Sequence, residues 1–202
     1  MRKNKKQRKK IKAIRLRNKK LIKRYPWLRA IDWWWKPIKT YDFTLLDDMP
    51  EGWRKCFGMM MVEDIDKALK GHNIRIQQIK EKYGQLRIYF SAHKDIYKDV
   101  DRVIEAYSHL SENICIGCGK PDVGYTSGWI MPICLKCFCR DGYHTEEEYY
   151  EQISPHNRMA LDYSYSRHEP GIKGWTKYTV DISEYTNKVR VNWWKKHNAK
   201  LS

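Results

Sequence analysis

The chain has 202 residues, of which 42% are apolar and 32% charged, and its formal net charge is +16. This length allows one core of ordinary size with a small satellite module, and the apolar content suffices for folding without a membrane. No apolar run approaches the roughly 18 to 20 residues that span a bilayer, and the N-terminus lacks the apolar segment of a secretory signal, so we expect a cytoplasmic protein.

The positive charge is concentrated before Tyr25. Residues 2–24 contain 14 Lys and Arg without Asp or Glu, which leaves 26 basic against 24 acidic residues in the rest of the chain. We expect residues 1–24 to form a basic arm that is disordered, or helical on binding, because no acid of the segment offsets its self-repulsion. Apolar residues interrupt the charges at spacings partly compatible with one helical stripe, namely Ile11, Ile14, Leu16, Leu21 and Ile22. The predicted phosphate contacts are the cations of this arm: Arg2, Lys3, Lys5, Lys6, Arg8, Lys9, Lys10, Lys12, Arg15, Arg17, Lys19, Lys20, Lys23 and Arg24.

Residues 25–112 are predicted to form an α+β core. Asp48 or Met49 can cap a helix whose first turn holds Pro50 and whose end is marked by Gly71. Apolar residues between them recur at intervals of three and four, which predicts an amphipathic helix of about five turns. Two β-rich runs at 74–79 and 86–90 flank a turn and predict a β-hairpin. The helical period returns from Ile96 to Leu110 and predicts a second helix.

Residues 113–142 carry the most specific motif, C-x2-C-x15-C-x2-C. Its cysteines are Cys115, Cys118, Cys134 and Cys137. Two residues between cysteines let one tight turn direct both sulfurs to one ion, and two such turns complete the tetrahedron that structural Zn²⁺ prefers. The spacing therefore predicts a zinc ribbon with one structural zinc ion, and Lys120, Lys136 and Arg140 are close enough in sequence to offset its negative charge.

The sequence leaves alternatives for the fourth ligand and for the state of the cysteines. Cys139 could replace Cys137 as the fourth ligand, and His144 is a weaker substitute. Free buried thiols or a disulfide are alternatives to the zinc site, although disulfides are disfavoured in a reducing compartment. Cys56 is predicted to be a small buried hydrophobic residue on the first long helix.

Residues 143–202 are predicted to form a C-terminal helix and a small β-rich extension. The pattern predicts a helix over Thr145–Ile153 and a loop over Tyr163–Gly174. It predicts two strands, Trp175–Ile182 and Val189–Trp194. Aromatic faces beside cations can stack on unpaired bases, which makes candidates of Trp193, Trp194, Lys195 and Lys196. The alternative is that these tryptophans fill the core.

Several segments together resemble a group of uncharacterised zinc-ribbon proteins encoded by bacteriophages and prophages. They are YPWL at 25–28, LDDMPEGWRK at 46–55, QIKEKYGQLR at 78–87, and CIGCGKP at 115–121 with GWI at 128–130. The resemblance covers Tyr25 to Cys137 and implies a bacterial host cytoplasm. It brings no activity with it, and the basic arm and the tail after Cys139 lie outside it. A phage origin favours roles in host take-over or counter-defence.

The sequence contains no combination of residues that predicts a catalysed reaction. The acid pairs Asp47-Asp48 and Glu63-Asp64 could be nuclease carboxylates, but helix capping and a solvated face explain them better. No zinc-protease motif, phosphate loop or nucleophile elbow is present. The predicted function is therefore a non-enzymatic zinc protein that binds nucleic acid, RNA rather than DNA. The alternative is a counter-defence effector that inhibits a host nucleoprotein machine such as a CRISPR effector nuclease, and a metal-dependent nuclease is less favoured.

Overall fold

The computed structural model describes residues 5–32, 34, 36–127, 129–153, 164–171 and 174–198. Two candidate contacts, Arg2 and Lys3, lie outside the described residues. The predicted α+β class is confirmed: helices pack on a two-stranded antiparallel hairpin, and a four-cysteine module follows. None of the helices in the described ranges is both long enough and apolar enough to cross a bilayer.

The basic arm is a docked helix, α1 (Lys5–Arg24). Asn18 and Ile22 are buried, and the Asn18 side chain donates to the carbonyl of Tyr41 over 2.9 Å. Leu16, which the sequence placed in the apolar stripe, is 57% exposed because it lies on the opposite side of the helix. A helix thus occurs where the sequence predicted a segment that is disordered or helical only on binding.

Two ion pairs explain this difference. The Arg15 Nε lies 2.5 Å from a carboxylate oxygen of Asp42, and Arg17 bonds to Asp47. The charge of the arm, which no acid of the segment offsets, is therefore offset at Arg15 and Arg17 by acids from elsewhere in the chain. Both acids come from the segment that follows the first 3-10 turn (Pro26–Leu28), so the partners are 27 and 30 residues away in sequence.

The helix predicted between Asp48 and Gly71 is present in three consecutive parts. They are α2 (Glu51–Trp53), a π-helical turn (Arg54–Gly58) and α3 (Met59–Ala68). Its buried apolar residues keep a four-residue spacing: Trp53, Phe57, Met61, Ile65 and Leu69. In a helix with 3.6 residues per turn, residues four apart are rotated by about 40° relative to each other, so such a row drifts around the helix. The π turn has more residues per turn and offsets part of this drift, which helps to hold the row on one face.

The predicted hairpin and second helix are confirmed. β1 (Ile74–Lys82) pairs antiparallel with β2 (Gln85–Ala92), and a bulge lies between Ile76 and Gln78. Tyr83 and Gly84 join the strands with φ of +52° and +76°, as in the two-residue type I′ turn that matches strand twist. α4 (Lys94–Ser111) packs against β2 and α3 and completes the core.

The C-terminal prediction is correct for its helix and for its first strand, Trp175–Ile182, and wrong for its loop and its second strand. Thr145 caps α6 (Glu146–Gln152) through a capping box. β4 (Gly174–Asp181) pairs with β3 (Ser164–Gly171), which the sequence assigned to a loop. The second predicted strand lies instead in α7 (Ser183–Asn198), because Ile182, Thr186 and Val189 are buried at helical spacings of four and three.

Candidate metal centre

The first cysteine turn follows α4 directly. The Cys115 amide donates to the Lys120 carbonyl over 2.8 Å, and the Gly119 amide donates back to the Cys115 carbonyl at the same distance. Gly119 has a φ of +83°, a backbone conformation that side chains disfavour. This closed turn directs the sulfurs of Cys115 and Cys118 to the same side.

The second cysteine turn begins the short helix α5 (Leu135–Phe138). Cys134 caps this helix, and the Cys137 and Phe138 amides donate to its carbonyl over 2.9 and 3.0 Å. The Cys134 amide also points at the sulfur of Cys115, 3.4 Å away, so the second turn donates to a ligand atom of the first.

The four sulfurs of Cys115, Cys118, Cys134 and Cys137 lie within 4.8 Å of one another and are positioned to hold a metal ion. The Cys118 and Cys134 sulfurs are 3.7 Å apart. A tetrahedron with zinc–sulfur bonds of about 2.3 Å has an edge of roughly 3.8 Å, so the spacing fits this coordination. Cys115 and Cys134 are buried, and the other two are half-buried.

The structure brings Cys137 into this group and leaves Cys139 outside it. Cys139 is half-buried at the end of α5, where its amide donates to the Leu135 carbonyl. His144 is engaged elsewhere: its ring stacks on Phe138 and its Nδ1 lies 3.3 Å from a carboxylate oxygen of Glu148.

The electrostatics of the cluster favour a cation. In the absence of one, a hydrogen bond from the Cys134 thiol and further bonds from main-chain amides lower the pKa of the Cys115 thiol. The same bond raises the pKa of Cys134, and burial raises that of Cys118. Metal binding needs deprotonated sulfur ligands, so a bound ion would release the protons that these close thiols share.

One of the three predicted neighbouring cations contacts the cluster. Arg140 Nη2 donates to the sulfur of Cys137 across 2.7 Å, and this contact raises the pKa of the guanidinium. Lys120 and Lys136 are exposed. The arginine therefore offsets part of the negative charge that four thiolates would carry.

Two residues that the sequence did not single out as functional hold the module on the core. The Gly52 amide donates to the Ile116 carbonyl over 3.0 Å, and the Trp53 indole donates to the Ile114 carbonyl over 2.7 Å. A side chain at Gly52 would collide with the main-chain carbonyl of Cys115. The sequence feature that could have indicated this contact is the adjacent Gly-Trp pair at the start of a helix, because a glycine there permits close approach of another backbone.

A further contact joins the module to the hairpin. A Cβ at Gly84 would meet Tyr125 at 2.8 Å and Ile130 at 3.1 Å, so the hairpin turn rests on the loop between the cysteine pairs.

Cys56 is half-buried beside Gly119, and burial raises the pKa of its thiol to about 12, consistent with the small hydrophobic role predicted for it.

The structure divides the predicted nucleic-acid contacts between two helices. The twelve described cations of residues 1–24 lie on α1, where Arg15 and Arg17 form ion pairs. The C-terminal candidates lie on α7, where Trp194 is 66% exposed and Trp193 stacks on His197 with ring centroids 3.6 Å apart. Lys195 and Lys196 are exposed.

One acid of each pair, Asp47 or Asp64, has side-chain partners in the structure. Asp47 completes a capping box with Thr44 in the 3-10 turn Leu45–Asp48 and also bonds to Arg54. Asp64 accepts a hydrogen bond of 2.6 Å from Tyr107 and pairs with Lys67. Capping explains Asp47 as predicted, although the helix capped is the 3-10 turn and not α2. The prediction of a solvated face is wrong for Asp64, whose side chain is largely covered and bonded to Tyr107.

No family model, curated protein or solved structure matches the chain.

Proposed function

We propose that the four cysteines bind one structural zinc ion. Four sulfur donors in two C-x2-C turns are a donor set typical of zinc, and their spacing fits tetrahedral coordination. Four protein ligands leave no position for a catalytic water, so the metal's role is to fold the module and fix it on the core. Cys115, Cys118, Cys134 and Cys137 hold the ion, and Arg140 balances its thiolates.

The protein binds nucleic acid through α1, and it has no catalytic activity of its own. One observation carries this proposal: ten cations of α1 have no ion pair with an acid in the described part of the chain. They are Lys5, Lys6, Arg8, Lys9, Lys10, Lys12, Lys19, Lys20, Lys23 and Arg24. The helix is about 30 Å long, so these charges form an extended surface for a phosphate backbone.

The arrangement of charge on α1 opposes helix stability in the absence of a polyanion. Lysines at positions 5 and 9, 6 and 10, and 19 and 23 are neighbours one turn apart, and like charges at this spacing repel. Phosphates would remove this repulsion and release counterions on binding. RNA is the proposed ligand in preference to DNA, because exposed aromatic rings such as Trp194 suit unpaired bases.

The proposal is tested with zinc-loaded protein purified from a bacterial host. Co-purifying RNA, seen as raised absorbance at 260 nm and removed by ribonuclease, supports it. Equal-length RNA and DNA of one sequence then measure the preference by fluorescence anisotropy. A protein partner that co-purifies in fixed stoichiometry, with no affinity for free RNA or DNA, would replace this proposal with inhibition of a host nucleoprotein machine.

A further inference from the structure

We infer that the outer face of the β1–β2 hairpin is a second nucleic-acid surface that stacks unpaired bases. Tyr89 and Tyr83 supply the rings, and Lys80, Lys82 and Arg87 supply cations for the phosphates. This inference rests on the proposed function and deepens it, because it specifies single strands as the ligand class and names a surface other than α1.

The hairpin has a buried face and an exposed one. Ile76, Ile79 and Leu86 point inward and are at most 2% exposed. Because successive side chains of a strand point to opposite faces, Lys80 and Lys82 of β1 and Arg87 and Tyr89 of β2 point outward. Lys80 faces Arg87 across the strands on this outer side, and Gln78 faces Tyr89.

The outer face is basic and aromatic. The Lys80 ammonium lies 5.0 Å from the Tyr89 ring centre, and the Lys82 ammonium lies 5.4 Å from that of Tyr83. Tyr83 is 72% exposed and Tyr89 is 42% exposed. Rings with adjacent cations are the combination by which proteins hold single strands without base preference, since every base has a π-face.

Glu105 borders this face, and Glu81 points away from it. Glu81, which alternates to the other side of β1, accepts a hydrogen bond of 2.7 Å from the Gly84 amide. Glu105 of α4 lines a cleft of about 360 Å³ beside β2, together with Arg87 and Tyr89, and so marks one boundary of the basic surface. Lys80, Lys82 and Arg87 have no ion pair among the described residues.

Two features of the hairpin cost stability and are explained by a ligand. Lys80 and Arg87 are directly opposite each other, and like charges in this position destabilise a strand pair. Tyr83 has a φ of +52°, a conformation that favours Gly, Asn or Asp and is uncommon for a bulky side chain. Strained or repulsive positions that persist point to function. Here the turn directs an aromatic ring into solvent, next to a phosphate-binding cation.

The hairpin surface is connected to the proposed phosphate surface. The 3-10 turn Pro26–Leu28 follows α1 after one residue and packs against β1. This contact puts both surfaces on one folded body, so a single strand long enough to span them can meet α1 with its phosphates and the hairpin rings with its bases. The two surfaces then contribute differently to binding. The cations of α1 supply affinity for any polyanion, and the hairpin rings select unpaired bases.

The test compares single-stranded RNA with duplex RNA, using full-length zinc-loaded protein and fluorescence anisotropy. Tyr89→Ala is expected to weaken single-strand binding about five-fold or more, because stacking on one aromatic side chain contributes at least that much. Tyr89→Phe keeps the ring and is expected to bind as the wild type does. Neither substitution changes duplex binding. A control variant, Lys39→Ala with Tyr143→Ala, removes an exposed cation and an exposed ring elsewhere and is expected to have no effect.

A second measurement locates the contact directly. RNA containing 4-thiouridine is irradiated in the complex, and the cross-linked peptides are identified by mass spectrometry. Cross-links at Tyr83 or Tyr89 support the inference. Zinc content and thermal unfolding of each variant confirm that the fold is intact.

The outcomes separate the two proposals. Wild-type protein that binds neither single-stranded nor duplex nucleic acid overturns the proposed function and this inference with it. Binding that is lost on α1 substitution but unchanged in the tyrosine variants, with no cross-link on the hairpin, overturns this inference alone. Equal weakening of single-strand and duplex binding in Tyr89→Ala excludes base stacking as the role of the ring and also overturns it.

Discussion

The indole Nε1–H of Trp53 donates to the main-chain carbonyl of Ile114 across 2.7 Å, and both residues are at most 1% exposed. The two residues are 61 positions apart in sequence, and Ile114 directly precedes the first cysteine ligand. This bond therefore fixes the backbone from which the metal centre begins. It also couples the start of the central helix to the four-cysteine module.

Trp53→Phe removes the donor and leaves a buried carbonyl without its partner. We expect this change to lower the free energy of unfolding by about 1 to 3 kcal/mol, measured as a lower urea midpoint at unchanged slope. The variant should also lose metal to a chelator faster than the wild type. Trp194→Phe is the matched control, because an exposed position is expected to change stability by less than about 0.5 kcal/mol. A destabilised variant with wild-type metal release would show that the core and the centre are independent.

The cysteine ligands are tested by single replacement. Cys118→Ser or Cys134→Ser should abolish stoichiometric zinc in native mass spectrometry, because each removes one of four thiolates. Structural zinc contributes on the order of 10 kcal/mol to folding, so residues 113–142 should lose their protection from hydrogen exchange. Wild-type protein that contains no metal when purified from zinc-supplemented cells would contradict the assignment of a zinc site.

Cys139→Ser is the control for this series. It should keep its zinc and its stability, because Cys139 lies outside the four-sulfur group. Loss of metal in this variant alone, with retention in Cys137→Ser, would mean that the fourth ligand is Cys139.

The phosphate surface proposed for α1 predicts a steep dependence of affinity on salt. If about half of its ten unpaired cations meet phosphates, log K should fall with log salt with a slope of roughly −3.5 to −4.5. Replacing Lys9, Lys12, Lys20 and Lys23 with Gln keeps good helix formers and should flatten the slope by about 1.5.

The control removes the same charge elsewhere, by replacing Lys36, Lys39, Lys94 and Lys188 with Gln, all of which are exposed. It should leave the slope nearly unchanged. Equal effects of both sets would mean that net charge, and not α1, determines binding. Substitution is a better test than deletion of residues 1–24, because deletion would also remove Asn18 and Ile22 from their buried positions.

Asp47 should make stability depend on pH. Burial alone would raise its pKa, but hydrogen bonds from Arg17 and from the side chain and amide of Thr44 outweigh this effect, and the pKa is lowered. A carboxyl whose pKa is lower in the folded state adds stability that is fully present above its unfolded value, near 3.9, and is lost as pH falls through the folded value.

Asp47→Asn should therefore be less stable than the wild type at pH 6. The difference should shrink in urea titrations carried out progressively below pH 4. A difference that stays constant to pH 2 would show that the Asp47 charge does not hold α1 on the body, and that the amide substitution acts through packing.

The sequence predicted the four cysteines that the structure brings together, because the geometry of each C-x2-C turn is local. Two residues between ligands determine a tight turn, and that turn needs little help from the rest of the chain. The hairpin and α4 were predicted for the same reason, since alternation and helical period are properties of neighbouring residues.

Features that depend on distant partners were missed. The docking of α1 depends on Asp42 and Asp47, and nothing within residues 1–24 indicates which acids lie nearby in the fold. The helical state of residues 189–194 depends on burial of Val189 against the core. The β-branched residues of this segment favour a strand when the sequence is considered alone, so the helix was not predicted. The π turn at Arg54–Gly58 had a signal, because an apolar spacing of four kept through Leu69 does not fit an undistorted α-helix.

The hairpin has a consequence for solubility. Within the described residues its sheet has two strands, so β1 and β2 each have an edge without a neighbouring strand. Such an edge is a template on which a second chain can add, and charged side chains, lysine above all, are a common protection against it. Lys80, Lys82 and Arg87 would bring like charges together if two copies met edge to edge. Nucleic acid that neutralises these cations would remove this repulsion, so complexes near charge balance are the state most prone to self-association.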